Sequence, residues 1–251
     1  MTRIKDIIDF TESFAPLVSA MEFDNVGLLV GDKNEAVTKV VVALDITDEV
    51  IDEAKENSAE LIISHHPVIF DPLKRIEKNS AVYKLIKNDI AALCLHTNLD
   101  LSPVFGVNTC LAEAVGVKNC EFVEGECLYI GELEKPALNR SFALTVKEAL
   151  GCSGLRYTLG NKTVKRVAIC SGSGGDLAVL AAEKGADALL TGEIKHHEIL
   201  DADRTGIAVV DAGHFRTEDI VIEPLCKKLG KEFPDVGFIR SLACTDRVEY
   251  C

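Results

Sequence analysis

The chain has 251 residues, 47% of them hydrophobic, and carries 40 acidic against 27 basic side chains for a formal net charge of −13. That length and apolar content support one large α/β domain or two small ones. The acidic balance disfavours a nucleic-acid backbone as main partner, since phosphate binding needs clustered Lys and Arg.

The opening Met1-Thr2-Arg3-Ile4-Lys5-Asp6 lacks the apolar core of a secretory signal. No apolar run approaches the roughly 20 residues needed to span a bilayer. A cytoplasmic location with no membrane partner is therefore expected. Ile4, Ile7, Ile8 and Phe14 recur at helical spacing and predict a first helix over 3–14, limited by Pro16. A polar turn at Asp24-Asn25 leads into a short strand punctuated by Gly31. From Lys39 the pattern becomes strand, helix, strand. Val40-Val41-Val42-Ala43-Leu44 is a continuous apolar run, 47–57 an acidic helix with Val50, Ile51 and Ala54 inward, and Leu61-Ile62-Ile63 a second buried strand. A helix over 80–88 and a strand over 90–95 follow. Segment 121–163 reads as a smaller joining region, a hairpin plus a helix over 138–150.

The second half repeats the first. A shift of 127 residues lays Lys39-Val40-Val41-Val42 on Arg166-Val167-Ala168-Ile169 and Leu61-Ile62-Ile63-Ser64 on Ala188-Leu189-Leu190-Thr191. With a smaller shift, 90–95 resembles 207–212. The expected fold is α/β, two related, intertwined halves from an internal duplication: 1–120, a joining region 121–163, and 164–251. The nine cysteines are odd in number and never form a Cys-x-x-Cys pair. They read as reduced, mostly structural thiols.

All six histidines fall in four short stretches: Ser64-His65-His66-Pro67, His96-Thr97-Asn98-Leu99-Asp100, Lys195-His196-His197-Glu198 and His214-Phe215-Arg216-Thr217-Glu218. Two of these repeat His-x-x-x-carboxylate just past a predicted strand, where parallel α/β sheets collect ligands. Imidazole and carboxylate together suit a divalent zinc, iron, manganese or nickel ion. If helical, His96 and Asp100, and likewise His214 and Glu218, share one face. Pseudo-two-fold packing of the halves would set a metal site between them at the strand carboxyl ends, and two metals could share it. Proline after His66 fixes a turn from which both imidazoles can project. His96 is expected to serve as a base beside the metal.

His196-His197 does not align with His65-His66, which match Gly192-Glu193, and reads as a solvated helix start or a neighbour of the ligands. Ser171-Gly172-Ser173-Gly174-Gly175-Asp176 reads either as backbone N–H donors for an anion or as a plain glycine turn. Neither the P-loop nor the dinucleotide fingerprint is present.

Asp24-Asn25-Val26-Gly27-Leu28, Ser64-His65-His66-Pro67, His96-Thr97-Asn98-Leu99-Asp100, the segment Thr191 to His197, and Gly213-His214-Phe215-Arg216-Thr217-Glu218 together resemble the Nif three-like family, often labelled GTP cyclohydrolase I type 2 homologues. The motifs follow the family's order over essentially the whole chain. The resemblance implies a duplicated α/β fold, a dinuclear metal site with ligands His65, His66, Asp100, His214 and Glu218, His96 close by, and a toroidal homohexamer. Many members have a tryptophan where this chain has Phe23, and longer members carry an inserted domain that this compact form lacks.

The expectation is a dinuclear-metal-dependent hydrolase with two divalent ions per chain. Glu218 and a hydroxide would bridge them, one ion taking His66 and Asp100 and the other His65 and His214. The small-molecule substrate would be GTP or a related purine or amide-type compound, with His96 as the catalytic proton shuttle. The alternative is a non-catalytic metal-binding or regulatory assembly protein.

Overall fold

In the computed structural model, which describes residues 1–160 and 163–251, the apolar runs become central strands and the amphipathic segments between them helices. In chain order these are α1 (Ile4–Thr11), β1 (Gly27–Val30), β2 (Lys39–Ala43), α2 (Asp48–Glu56), β3 (Leu61–Ser64), α3 (Ala81–Lys87), β4 (Ala91–Cys94), α4 (Thr97–Asp100) and α5 (Val107–Ala114). There follow β5 (Val117–Phe122), β6 (Tyr129–Ala137), α6 (Asn139–Ala149), β7 (Arg156–Tyr157), β8 (Val164–Cys170), α7 (Ala178–Glu183) and β9 (Ala188–Thr191). The chain continues through α8 (His196–Thr205), β10 (Ala208–Asp211), α9 (His214–Glu218), α10 (Ile222–Glu232) and β11 (Gly237–Arg240).

Two units result, Met1–Phe105 with Val221–Thr245, and Gly106–Ile220 with Asp246–Cys251. They divide the chain elsewhere than the sequence divisions at 120 and 163. Helix α5 packs on β5 and β8, and β6 pairs with β8, so the hairpin β5–β6 is part of the second sheet rather than a joining piece. Strand β11 belongs to the first unit because it pairs in parallel with β2.

The first unit's sheet has the order β1-β4-β3-β2-β11, and the second's β5-β6-β8-β9-β10-β7. Each contains a parallel core, β2-β3-β4 in one and β8-β9-β10 in the other, flanked on the β4 or β10 side by a short antiparallel strand. The duplication extends to register: Val40 pairs with Leu61, and Val167, 127 residues on, pairs with Ala188. Side chains alternate across the second sheet. Val167, Ile169, Ala188, Leu190, Ala208 and Val210 pack in one cluster, while Ala168, Cys170, Leu189 and Val209 pack in the other. Both faces are thus covered, which is why these strands read as unbroken apolar runs.

Local signals fix the helices. Thr47 accepts a hydrogen bond from the Val50 N–H at the start of α2, satisfying a donor the helix cannot. Helix α1 is shorter than the predicted 3–14, because the chain tightens into Ser13 N–H to Phe10 O and Phe14 N–H to Thr11 O bonds; Phe14 remains buried. Among the described residues, no helix is long and apolar enough to cross a membrane. No cysteine among the described residues is in a disulfide, and burial pushes Cys110 up to about 11 and Cys226 up to about 12. The buried Cys94, Cys152, Cys170 and Cys226 pack as small hydrophobes.

Ile62 is fully buried in β3, two residues before Ser64, the strand end that precedes the first double histidine. Ile62→Ala should cost about 2–5 kcal/mol of stability, read as a lowered urea midpoint with unchanged slope.

Candidate metal centre

In the first unit, the strand end itself aims the histidines. The His65 N–H donates to Ala43 O and the His66 N–H to Leu44 O, continuing the β2–β3 ladder past Ser64, whose hydroxyl donates to His66 O. Strand β4 ends alongside at Cys94, and the next N–H, of Leu95, still donates to Ser64 O, so that His96 begins the next turn at the same end of the sheet. The three imidazoles meet there. Ring centroids are 5.1 Å apart for His65 and His66, 5.1 Å for His65 and His96, and 5.5 Å for His66 and His96. Each offers a ligand atom within 4.8 Å of the others. Asp100, buried one helical turn beyond His96 in α4, lies with Oδ1 3.6 Å from His65 Nε2.

Each ring is clamped through Nδ1. His65 Nδ1 is 2.8 Å from Leu95 O, a backbone carbonyl that can only accept. His66 Nδ1 is 2.7 Å from Asp45 Oδ1, and His96 Nδ1 is 2.8 Å from Asp24 Oδ1. A neutral imidazole that donates from Nδ1 carries its lone pair on Nε2. Asp24 is fixed in turn by Thr97, whose backbone N–H and hydroxyl both donate to Oδ2. Burial alone would raise Asp24, but the bonds from His96 and Thr97 outweigh it and hold the carboxyl well below the usual range.

The second unit supplies a counterpart. His214 opens α9 after Gly213, whose φ of +88° suits glycine. Its Nδ1 is 3.0 Å from Glu193 Oε1, and its Nε2 is 3.0 Å from Glu218 Oε2 one turn along the same helix. Glu218 is buried beneath the glycine loop: a Cβ at Gly172, which has φ +61°, would lie 2.1 Å from Glu218 Oε1. Gly192 is similarly confined, with a Cβ there 2.6 Å from Thr217 Oγ1.

That loop is a close-packed turn, not an anion cradle. The N–H groups of Ser171, Gly172 and Gly174 donate to Asn108 Oδ1, Thr217 Oγ1 and Thr191 Oγ1. His196 and His197 are exposed at the start of α8 and join no ligand group among the described residues.

The imidazoles of His65, His66 and His96 suit a divalent transition ion, and His214 with Glu218 supplies two further donors of the same kind. The Nε2 atoms of His65 and His214 face the carboxylate oxygens of Asp100 and Glu218, an arrangement that is repulsive unless a cation or proton lies between them, and Nδ1–carboxylate or Nδ1–carbonyl support is the usual setting of a ligating histidine. Sequence reasoning brought together His65, His66, His96 and Asp100, and His214 with Glu218. It missed Asp45, Glu193 and the contact of Gly172 with Glu218. Asp45 follows the apolar run of β2, and Glu193 is the residue that the repeat lays on His66, but neither carries a local signal of its role.

Comparison with known proteins gives a consistent result. The profile of the family described as Duf34/NIF3 (NGG1p interacting factor 3) matches residues 2–246. A Clostridium perfringens protein called GTP cyclohydrolase 1 type 2 homolog is 36% identical over 261 residues, covering 99% of each chain. Among solved structures, Staphylococcus aureus protein SA1388 superposes with a TM-score of 0.92 at 29% identity, covering 100% of this chain and 99% of that one. A Bacillus cereus protein related to NIF3 gives a TM-score of 0.91 at 27% identity, covering 100% and 99%.

Because its folded pKa lies below the ordinary 3.8, Asp24 stabilises the fold fully above that value and loses the contribution as pH falls through the depressed folded pKa. Asp24→Asn should therefore flatten the rise of stability with pH through the acid range, measured as urea midpoints against pH. A slope equal to that of the unaltered protein would contradict the clamp.

Proposed function

Since the chain belongs to the Duf34/NIF3 family, we propose that it is a metal-dependent hydrolase, with His65, His66, Asp100, His214 and Glu218 as ligands of a dinuclear centre. The observation that carries this reading is the common commitment of four imidazole Nδ1 atoms to oxygen acceptors, which leaves Nε2 as the ligand atom, with His65 Nε2 beside Asp100 and His214 Nε2 beside Glu218. Two divalent ions bound by such residues supply Lewis acidity and acidify water near neutral pH.

The protein's own residues then divide the work. Asp24 holds His96 by Nδ1, so that its Nε2 can take a proton from an attacking water and return it to a leaving group. Asp45 and Glu193 keep His66 and His214 in one tautomer. Gly172 leaves room for Glu218 and seats it. The substrate class suggested by the relatives' label is GTP or a related purine or amide-type compound, opened by water at carbon. A homohexamer is the assembly we propose for it.

Elemental analysis by plasma mass spectrometry should find about two transition-metal ions per chain, as a paired site requires, and a loss of metal in His65→Ala/Glu218→Gln. Full metal in that double variant would sink the ligand assignment. His96→Ala should retain metal while turnover of GTP, followed by loss of the purine ring absorbance, drops by about 10²–10⁴-fold. Metal-replete protein with no turnover across GTP and a panel of cyclic amides would instead favour a non-catalytic metal-binding role. Gly172→Ala should displace Glu218 and lower metal occupancy with the secondary structure intact.

A further inference from the structure

Away from the histidines, a cavity of about 280 Å³ opens between α2 and α3, lined by Lys55, Lys78, Lys84 and Lys87, with Ile51 and Tyr83 forming an apolar and aromatic wall. Four lysines and a single carboxylate, Asp52, are among its lining residues, in a chain whose formal net charge is −13. Lys84 is paired with Asp48, at 2.5 Å. Among the described residues, Lys55, Lys78 and Lys87 form no ion pair. Glu77, next to Lys78 in the chain, pairs with Arg75 at 2.6 Å.

The last turns of α2 and α3 account for Lys55, Lys84 and Lys87 in part, since a helix C-terminus favours cations. They do not account for Lys78, which reaches the same cavity from the loop before α3. Convergence of unpaired like charges is unfavourable and is offset when a multivalent anion occupies the space between them.

We infer that this cavity binds a small polyphosphate, an inorganic pyrophosphate or the phosphate tail of a nucleotide, with the lysines on the phosphoryl oxygens and Tyr83 against whatever the tail carries. The site is independent of the metal reading, since none of its residues is a candidate ligand.

The test is calorimetric titration of the full chain with pyrophosphate and with ATP at low salt, beside Lys78→Gln/Lys87→Gln, two exposed positions whose change leaves the fold intact by circular dichroism. Pyrophosphate should bind the unaltered protein, lose affinity as salt rises, and bind about tenfold more weakly to the double variant at unchanged metal content. Tighter binding of ATP, lost in Tyr83→Leu, would identify the nucleotide tail as the ligand, and equal binding the free polyphosphate. No binding, or binding undiminished in the double variant, would overturn the inference.

Discussion

An imidazole serves a cation well only when one nitrogen is committed as a donor, because the other then carries an oriented lone pair. Four histidines here meet that condition through different partners: a backbone carbonyl for His65, Asp45 for His66, Asp24 for His96 and Glu193 for His214. The positions of these acceptors determine much of the surrounding design. Leu95 O and Asp45 are available because β4 and β2 stop beside β3, and Asp24 is available because Thr97, next to His96, supplies two donors to its other oxygen.

The duplicated sheet explains how two such settings arise in one chain. Equal register in β2–β3 and β8–β9 ends the strands at equivalent places, so that each unit presents a strand-end turn and a short helix carrying His-x-x-x-carboxylate. The two settings are not copies. Where the first unit has His65-His66, the second has Gly192-Glu193, so a ligand candidate in one is an orienting carboxylate in the other. Gly192 is small because Thr217 and the Gly172 carbonyl crowd it, and Gly172 is small because Glu218 fills the space a side chain would need. The repeat thus conserves backbone geometry while letting side-chain roles diverge.

Much of this was legible in the sequence. Apolar runs marked β2, β3, β4, β8, β9 and β10, and the 127-residue shift matched the pairing later seen in the sheets. The spacing of His96 with Asp100 and His214 with Glu218 found both short helices. Sequence boundaries between units were not legible, since they depend on which sheet α5, β5 and β11 join, and pairing partners lie far away in the chain. Asp45 and Glu193 escaped because an isolated acidic residue in a chain with 40 of them carries no local signal; only the three-dimensional neighbour gives it a role. The glycine loop could be read two ways until its N–H groups were seen to be committed internally. The lysine cavity was likewise hidden, because Lys55, Lys78 and Lys84 to Lys87 lie on two helices and a loop without any basic run.

Which nitrogen of each ring carries the hydrogen can be read by long-range proton–nitrogen NMR of the imidazoles in metal-stripped protein. His65, His66, His96 and His214 are expected to appear as Nδ1–H tautomers whose Nε2 resonances alone shift when zinc is added, with His196 and His197 unmoved. Nε2–H tautomers at His65 and His214, or zinc shifts confined to His196 and His197, would contradict the account.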